Sequence, residues 1–181
     1  MRQRFLSILF LTTLLGCSKS DSNPIMDFGE GEGITYRTSQ NFPAGPNDPT
    51  DWTSDGEWNK QERNLFADLG FDLNGAQQPA APIYTTAYPN PAMGSTASWT
   101  VQTQRLTSGA VNYTLSAALV DRNYHVRQRF GPQSFVNGYT YTFDYVRSGL
   151  SPNELYRIYY VVYNTSGLVY KGHGDVRYSP Q

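Results

Sequence analysis

From residue 96 onward, apolar and polar side chains take turns, and a repeat of two residues is the period of a β-strand. Val111, Tyr113, Leu115, Ala117 and Leu119 alternate with Asn112, Thr114 and Ser116. Tyr139, Tyr141, Phe143 and Tyr145 alternate with Thr140, Thr142 and Asp144, and Thr96 to Thr103 puts Trp99 and Val101 on one side. Tyr124 to Phe130 follows a tight turn at Asp121-Arg-Asn123, and Asn164-Thr-Ser-Gly167 reads as a hairpin turn. Leu155 to Tyr163 is apolar on both faces, as expected of a central strand covered from both sides. With Leu168 to Lys171 and Asp175 to Tyr178 the set reaches six or seven short, evenly spaced strands. That spacing predicts a mainly β fold, an antiparallel, immunoglobulin-like β-sandwich over residues 96–181. Composition agrees: the chain is rich in Tyr, Thr, Val and Gly, with 14 tyrosines.

The preceding segment, residues 34–95, has a different texture. Ile34 to Arg37 fits a short strand, and the Pro/Gly/Asn/Asp cluster at 43–50 fits a loop. Residues 54–70 are the one good helix pattern. Ser54-Asp-Gly-Glu57 matches a capping box, Trp58, Leu65, Phe66 and Leu69 fall on one face, and Gly70 is a fitting C-terminal cap. A helix this short needs a surface to pack on, either the sheet of its own chain or a partner. Residues 71–95, with Asn74-Gly75 and prolines at 79, 82, 89 and 91, read as loop.

The start of the chain is of another kind. Arg2 and Arg4 precede an apolar stretch, Phe5 to Leu15, that is about 11 residues long. A membrane-spanning helix needs roughly 20 apolar residues, whereas a signal-peptide core needs about 7–15. Leu14-Leu15-Gly16-Cys17 then resembles the lipobox read by lipoprotein signal peptidase, and Cys17 is the only cysteine. The resemblance implies a signal peptide over 1–16 and a diacylglycerol on the Cys17 thiol, with the freed amine acylated. Two or more acyl chains anchor stably where one does not. Residues 17–33 would be the lipidated Cys and a flexible Ser/Asp/Gly/Glu-rich tether. After such cleavage the chain carries 12 basic against 15 acidic residues, with no basic patch, so nucleic-acid binding is not expected.

Tyr88-Pro-Asn-Pro-Ala92 resembles the opening of the C-terminal sorting domains of type IX secretion in Bacteroidota, which are β-sandwiches of similar length to residues 88–181. The chain departs from them in carrying a lipobox and in ending Arg177-Tyr-Ser-Pro-Gln181. The chain also resembles small, uncharacterised Bacteroidota lipoproteins. These share a lipobox, YPNP, Leu119-Val-Asp121, the strand Tyr156 to Tyr160 and a Lys171-Gly-His-Gly-Asp175 turn. The resemblance implies an envelope location and no activity.

Several residues invite a chemical reading. Two glycines flank His173, which would let a hairpin turn present the imidazole to a metal or partner. His125 is the only other histidine, so no metal-ligand cluster is evident. Tyr139, Tyr141, Tyr145, Tyr156, Tyr159, Tyr160, Tyr163, Tyr170 and Tyr178 either stack on sugars or fill the sandwich core. Trp52, Trp58, His173 and Tyr170 are the candidate binding-surface residues. Arg157 interrupts an apolar strand and would pair with a carboxylate such as Asp144 or snorkel from a sheet edge. Asp72-Leu-Asn-Gly75 has the look of a calcium-loop fragment without the later ligands, hence a turn. The chain holds no G-x-S-x-G, H-E-x-x-H, P-loop or S-x-x-K, and no cofactor motif. These features predict a non-enzymatic outer-membrane lipoprotein whose sandwich binds another envelope protein. The alternative is a carbohydrate-binding or nutrient-capture lipoprotein, and the face of the membrane is left open.

Overall fold

The computed structural model describes residues 25–29, 31–78, 83–103 and 111–180. Cys17 and the signal segment lie outside the described residues. The described residues are mainly β, with eight strands in two antiparallel sheets. One sheet has five strands in the order β1 (Thr53–Ser54), β8 (Gly167–Arg177), β7 (Leu155–Asn164), β4 (Tyr113–Val120) and β5 (Val126–Phe135). The other has three, β2 (Ile83–Tyr88), β3 (Thr96–Thr103) and β6 (Gly138–Asp144).

The pleat sorts the side chains. Ala87 of β2, Trp99 and Val101 of β3 and Phe143 of β6 face the five-stranded sheet, where they meet Leu115, Tyr156, Ile158 and Tyr160. Trp99 stacks on Tyr141 at 5.6 Å, and its Nε1 donates to Thr85 Oγ1 at 2.9 Å, which satisfies the one polar atom of the indole. On the opposite face of the same sheet Ala118, Val120, Tyr159, Val161 and Leu168 form a second apolar layer. Met26, Phe28, Trp58, Leu65, Phe66 and Leu73 cover it. β7 therefore lies between two apolar layers, which is why its residues are apolar at even and odd positions alike.

The helix is shorter than its sequence pattern. Ser54 belongs to β1, where it pairs with Gly172. The helix α1 is Lys60–Asn64. Its capping box is Asn59 with Glu62: the Asn59 side chain accepts from the Gln61 and Glu62 amides, and Glu62 accepts from the Asn59 amide. A 3₁₀ turn, Ala67–Leu69, ends at Gly70, whose φ of 73° supplies the left-handed cap. Trp58, Leu65 and Phe66 flank α1 rather than sharing one continuous face, and they still pack on the sheet of the same chain.

Three further expectations change. Ile83–Tyr88, inside the expected loop 71–95, is a full edge strand that pairs with β3 from Ile83↔Thr103 to Tyr88↔Ser98. Flanking prolines disguise it, although an edge strand tolerates them just outside its ladder. Residues 34–37 form only single bridges, Arg37 with Pro43 and with Asn90. The Lys171-Gly-His-Gly-Asp175 segment is no turn, because β8 runs through it unbroken from Gly167 to Arg177. Neither of its glycines takes a positive φ. They are small because other groups stand where a Cβ would be: the Trp52 indole at Gly174, and the Tyr160 hydroxyl and Thr53 carbonyl at Gly172. The turns at Asp121-Arg-Asn123 and Asn164–Gly167 stand as the sequence suggests.

Candidate functional site

The polar residues singled out in the sequence converge on the covered face of β7 and β8. Antiparallel register sets Arg157 opposite Asp175, Tyr159 opposite His173 and Val161 opposite Lys171. With the pleat this puts the polar residues on one face, beneath the segment 26–75.

Arg157 grips Asp175 with two hydrogen bonds of 2.7 Å, from Nε to Oδ1 and from Nη2 to Oδ2. Nη2 also donates to the Asp27 carbonyl at 3.0 Å, and the guanidinium lies 5.2 Å from the Phe28 ring centre. The expected partner Asp144 is on the other sheet, opposite Thr96. Although burial works against the charge, the fork–fork bond to Asp175 holds the guanidinium more firmly protonated than usual. Asp51 stands beside this pair and accepts amide hydrogen bonds from Thr35, at 2.8 Å, and from Asp175. Burial, and then the neighbouring Asp175 charge, push the Asp51 carboxyl up to about 7.

The next rung is His173. Its Nδ1 meets Asp55 Oδ1 at 2.7 Å, and the other Asp55 oxygen accepts from the Trp58 indole at 2.7 Å. Opposite His173, the Tyr159 hydroxyl donates to Glu62 at 2.9 Å, and burial raises its pKa well above the ordinary phenol value. Lys171 is buried; its Nζ donates to Asn74 Oδ1 at 2.8 Å and sits 5.2 Å from the Trp58 ring centre. Burial lowers the Lys171 pKa. Asn74 also accepts from the Trp58 amide and donates to the Trp58 carbonyl, so Asp72–Gly75 is a turn that in addition clamps the cover. The arrangement is a polar seam between sheet and cover. Among the described residues no three His, Cys, Asp or Glu side chains are grouped to hold a metal ion.

The four candidate surface residues land in different places. Trp58 is buried against Phe66, at 5.6 Å, and Tyr159, at 5.5 Å. Trp52 is half-buried with its ring against the inter-sheet core, and Tyr170 is half-buried and stacked on Tyr160 at 5.9 Å. His173 is held in the seam. Of the tyrosine-rich set, Tyr145, Tyr156, Tyr159 and Tyr160 are buried, and Tyr139 is the most open at 36% exposed. Sequence reasoning missed Asp51, Asp55, Asn74 and Glu62, whose roles come only from what folds onto them.

An apolar groove of about 640 Å³ opens where the loop around residues 36–44 meets Pro89–Gly94. Tyr36, Arg37, Thr38, Pro89, Pro91 and Met93 contribute to its walls. Asn90, fully buried, locks the two walls together. Its amide and carbonyl bond reciprocally with Arg37, and its side-chain nitrogen donates to the Thr35 and Asp175 carbonyls at 3.2 and 2.8 Å. The Tyr88-Pro-Asn-Pro-Ala92 motif thus has a structural role in joining both sheets to the N-terminal segment.

No protein-family model matches the chain, and no curated protein matches it. Among solved structures, a domain of the outer membrane lipoprotein Omp28 from Porphyromonas gingivalis superposes with a TM-score of 0.35 and 20% identity. The superposition covers 59% of this chain and 95% of that one. At that degree of overlap the likeness does not establish a shared fold. No helix of the described residues is long and apolar enough to cross a membrane.

Proposed function

We propose that this chain is a lipid-anchored protein of the bacterial outer membrane whose sandwich is a non-enzymatic module for binding another envelope protein. The observation that carries the reading is Cys17, the sole cysteine, placed directly after Leu14-Leu15-Gly16 at the end of an 11-residue apolar stretch. The seam supports the second half. Arg157 and Asp175 bond to each other, His173 bonds to Asp55 and Lys171 to Asn74, all inside the fold, and none of the four seam residues on the sheet lines the open groove. A carbohydrate-binding reading needs exposed aromatic faces, and the burial of Trp58 and half-burial of Trp52 and Tyr170 leave it less supported.

The test is direct. Mass spectrometry of the membrane-extracted protein should find an N-terminal peptide that begins at an acylated Cys17. Cys17→Ala should move the protein out of the detergent phase. An unacylated wild-type N-terminus would sink the reading. Affinity capture from detergent-solubilised outer membranes should recover a stoichiometric protein partner, and recovery of glycan alone would favour the carbohydrate reading.

A further inference from the structure

We propose that one end of the sandwich is a membrane-contacting surface seated on the bilayer that holds the anchor; this rests on the lipid-anchor reading above. The end is the one at which β7 begins and β8 finishes. Six chain segments meet there. The Asp121–Asn123 turn is tied to the N-terminal segment by the Met26 amide donating to the Arg122 carbonyl at 2.9 Å. The connection after β6 is tied to the β2–β3 loop by the Tyr145 amide donating to the Ser95 carbonyl at 2.7 Å. That loop is tied in turn to the chain after β8, by the Ser179 amide donating to the Ala92 carbonyl at 2.8 Å, and to Arg37 through Asn90.

Among the described residues, exposure of large apolar side chains is concentrated at this end. Ile25, Phe42, Met93 and Val146 are 67, 66, 61 and 60% exposed, each on a different one of these segments. At the opposite end the comparable side chains, Tyr84, Val111, Val136 and Tyr139, are 44, 42, 37 and 36% exposed. Exposed single hydrophobics are ordinary on a protein surface; four at one end with most of their surface in water are not. Arg122 and Arg147, both exposed at the same end, have no carboxylate within ion-pair distance among the described residues. The exposed charges at this end are of both signs, Arg122 and Arg147 with Asp27 and Glu154, so the match to a lipid interface rests on the apolar side chains, which sink roughly 5–10 Å into such an interface.

The length of chain between anchor and fold selects the occupant. Ile25, where the described chain begins, is at this end, eight residues beyond Cys17. Eight residues reach at most roughly 29 Å when fully extended. The opposite end lies about 36 Å away, the length of an 11-residue strand such as β8. The tether therefore cannot seat the far end on the bilayer with the strands upright, and the near end needs no stretching to touch it. Tethering also holds the patch at high effective concentration, so contacts too weak to bind a membrane unaided suffice.

The experiment uses the full-length, lipidated protein in vesicles of phosphatidylethanolamine and phosphatidylglycerol. Acylation blocks the Cys17 thiol, so a second cysteine is the only one free for a polarity-sensitive fluorophore. Met93→Cys and Val146→Cys report on the near end and Val136→Cys on the far end. With nitroxide-bearing lipids the near-end labels should shift to the blue and be quenched about twofold or more beyond the Val136 label, as expected for groups at the headgroup boundary. Adding Phe42→Ser should weaken quenching of the Val146 label while the protein still floats with the vesicles. Equal quenching at both ends in a protein that floats overturns the seated end and leaves the anchor standing. Failure to float, with an unacylated N-terminus, overturns both.

Discussion

Gly174 distinguishes two physical reasons for a glycine. A turn glycine supplies positive φ; a strand glycine makes room. In this fold Gly174 is paired with Ile158 inside β8, and a Cβ there would fall on the Cδ2, Cε3 and Cζ3 atoms of Trp52. Gly174→Ala should therefore cost about 3 kcal/mol, at the upper end of overpacking changes because the obstacle is a ring held against the core. Trp52→Ala alone should cost about 2–3 kcal/mol, below the roughly 3–5 of a fully buried ring, because Trp52 is half-buried. In the double variant the alanine methyl enters space the indole has left. The sum should fail by about 2 kcal/mol, the coupling expected of two residues in direct contact. Urea denaturation of wild type, both single variants and the double variant measures it. In melts the Gly174→Ala loss corresponds to about 6–12 °C for a chain of this size. Additivity within about 0.5 kcal/mol would refute the close-approach explanation and return the segment to a turn.

The same approach gives three more tests. Phe66 is 2% exposed and stacked on Trp58, so Phe66→Ala should destabilise by about 3–5 kcal/mol, and an unchanged melting midpoint would place its partner outside this chain. Arg157→Met leaves Asp175 buried without its cation and should cost about 3–5 kcal/mol by denaturant titration; a change below about 1 kcal/mol would mean the pair is hydrated. Asp51 sets a pH dependence. Its folded pKa, about 7, lies above the ordinary 3.8, so between those values the folded state holds a proton that the unfolded state has released. That contribution is complete below pH 3.8, on the order of 4 kcal/mol at most, and is lost as pH rises through about 7. Denaturation midpoints from pH 5 to 8.5 should fall with pH, and Asp51→Asn should flatten the decline; an equal slope in both would assign it to another group.

The buried seam has a consequence for specificity. A wholly apolar interface between cover and sheet would tolerate sliding, whereas Arg157, Tyr159, Lys171 and His173 each find their partners in one register only. Removing one partner strands a buried charge or hydroxyl, so the seam is sensitive to single changes even if the intact pairs add little net stability.

The sequence by itself determined that strands occupy residues 96–163, the doubly buried character of Leu155 to Tyr163 and the tight turns at Asp121–Asn123 and Asn164–Gly167, but it split the last strand at Lys171–Asp175. Those features depend on a side-chain period and on turn chemistry, both local. It also picked out Arg157, Lys171, His173 and Trp58, the sheet side of the seam and one residue of its cover. Their partners were beyond it, because Asp55 is 118 residues from His173 and Asp51 is 124 from Asp175. Only the tertiary structure decided that Ser54 joins a strand instead of capping a helix, that Ile83–Tyr88 has a strand to pair with, and that the glycines of Lys171–Asp175 make room for Trp52 and Tyr160. A glycine in a sequence states that a side chain is absent; which neighbour requires the space is set by chain segments that arrive from elsewhere in the fold.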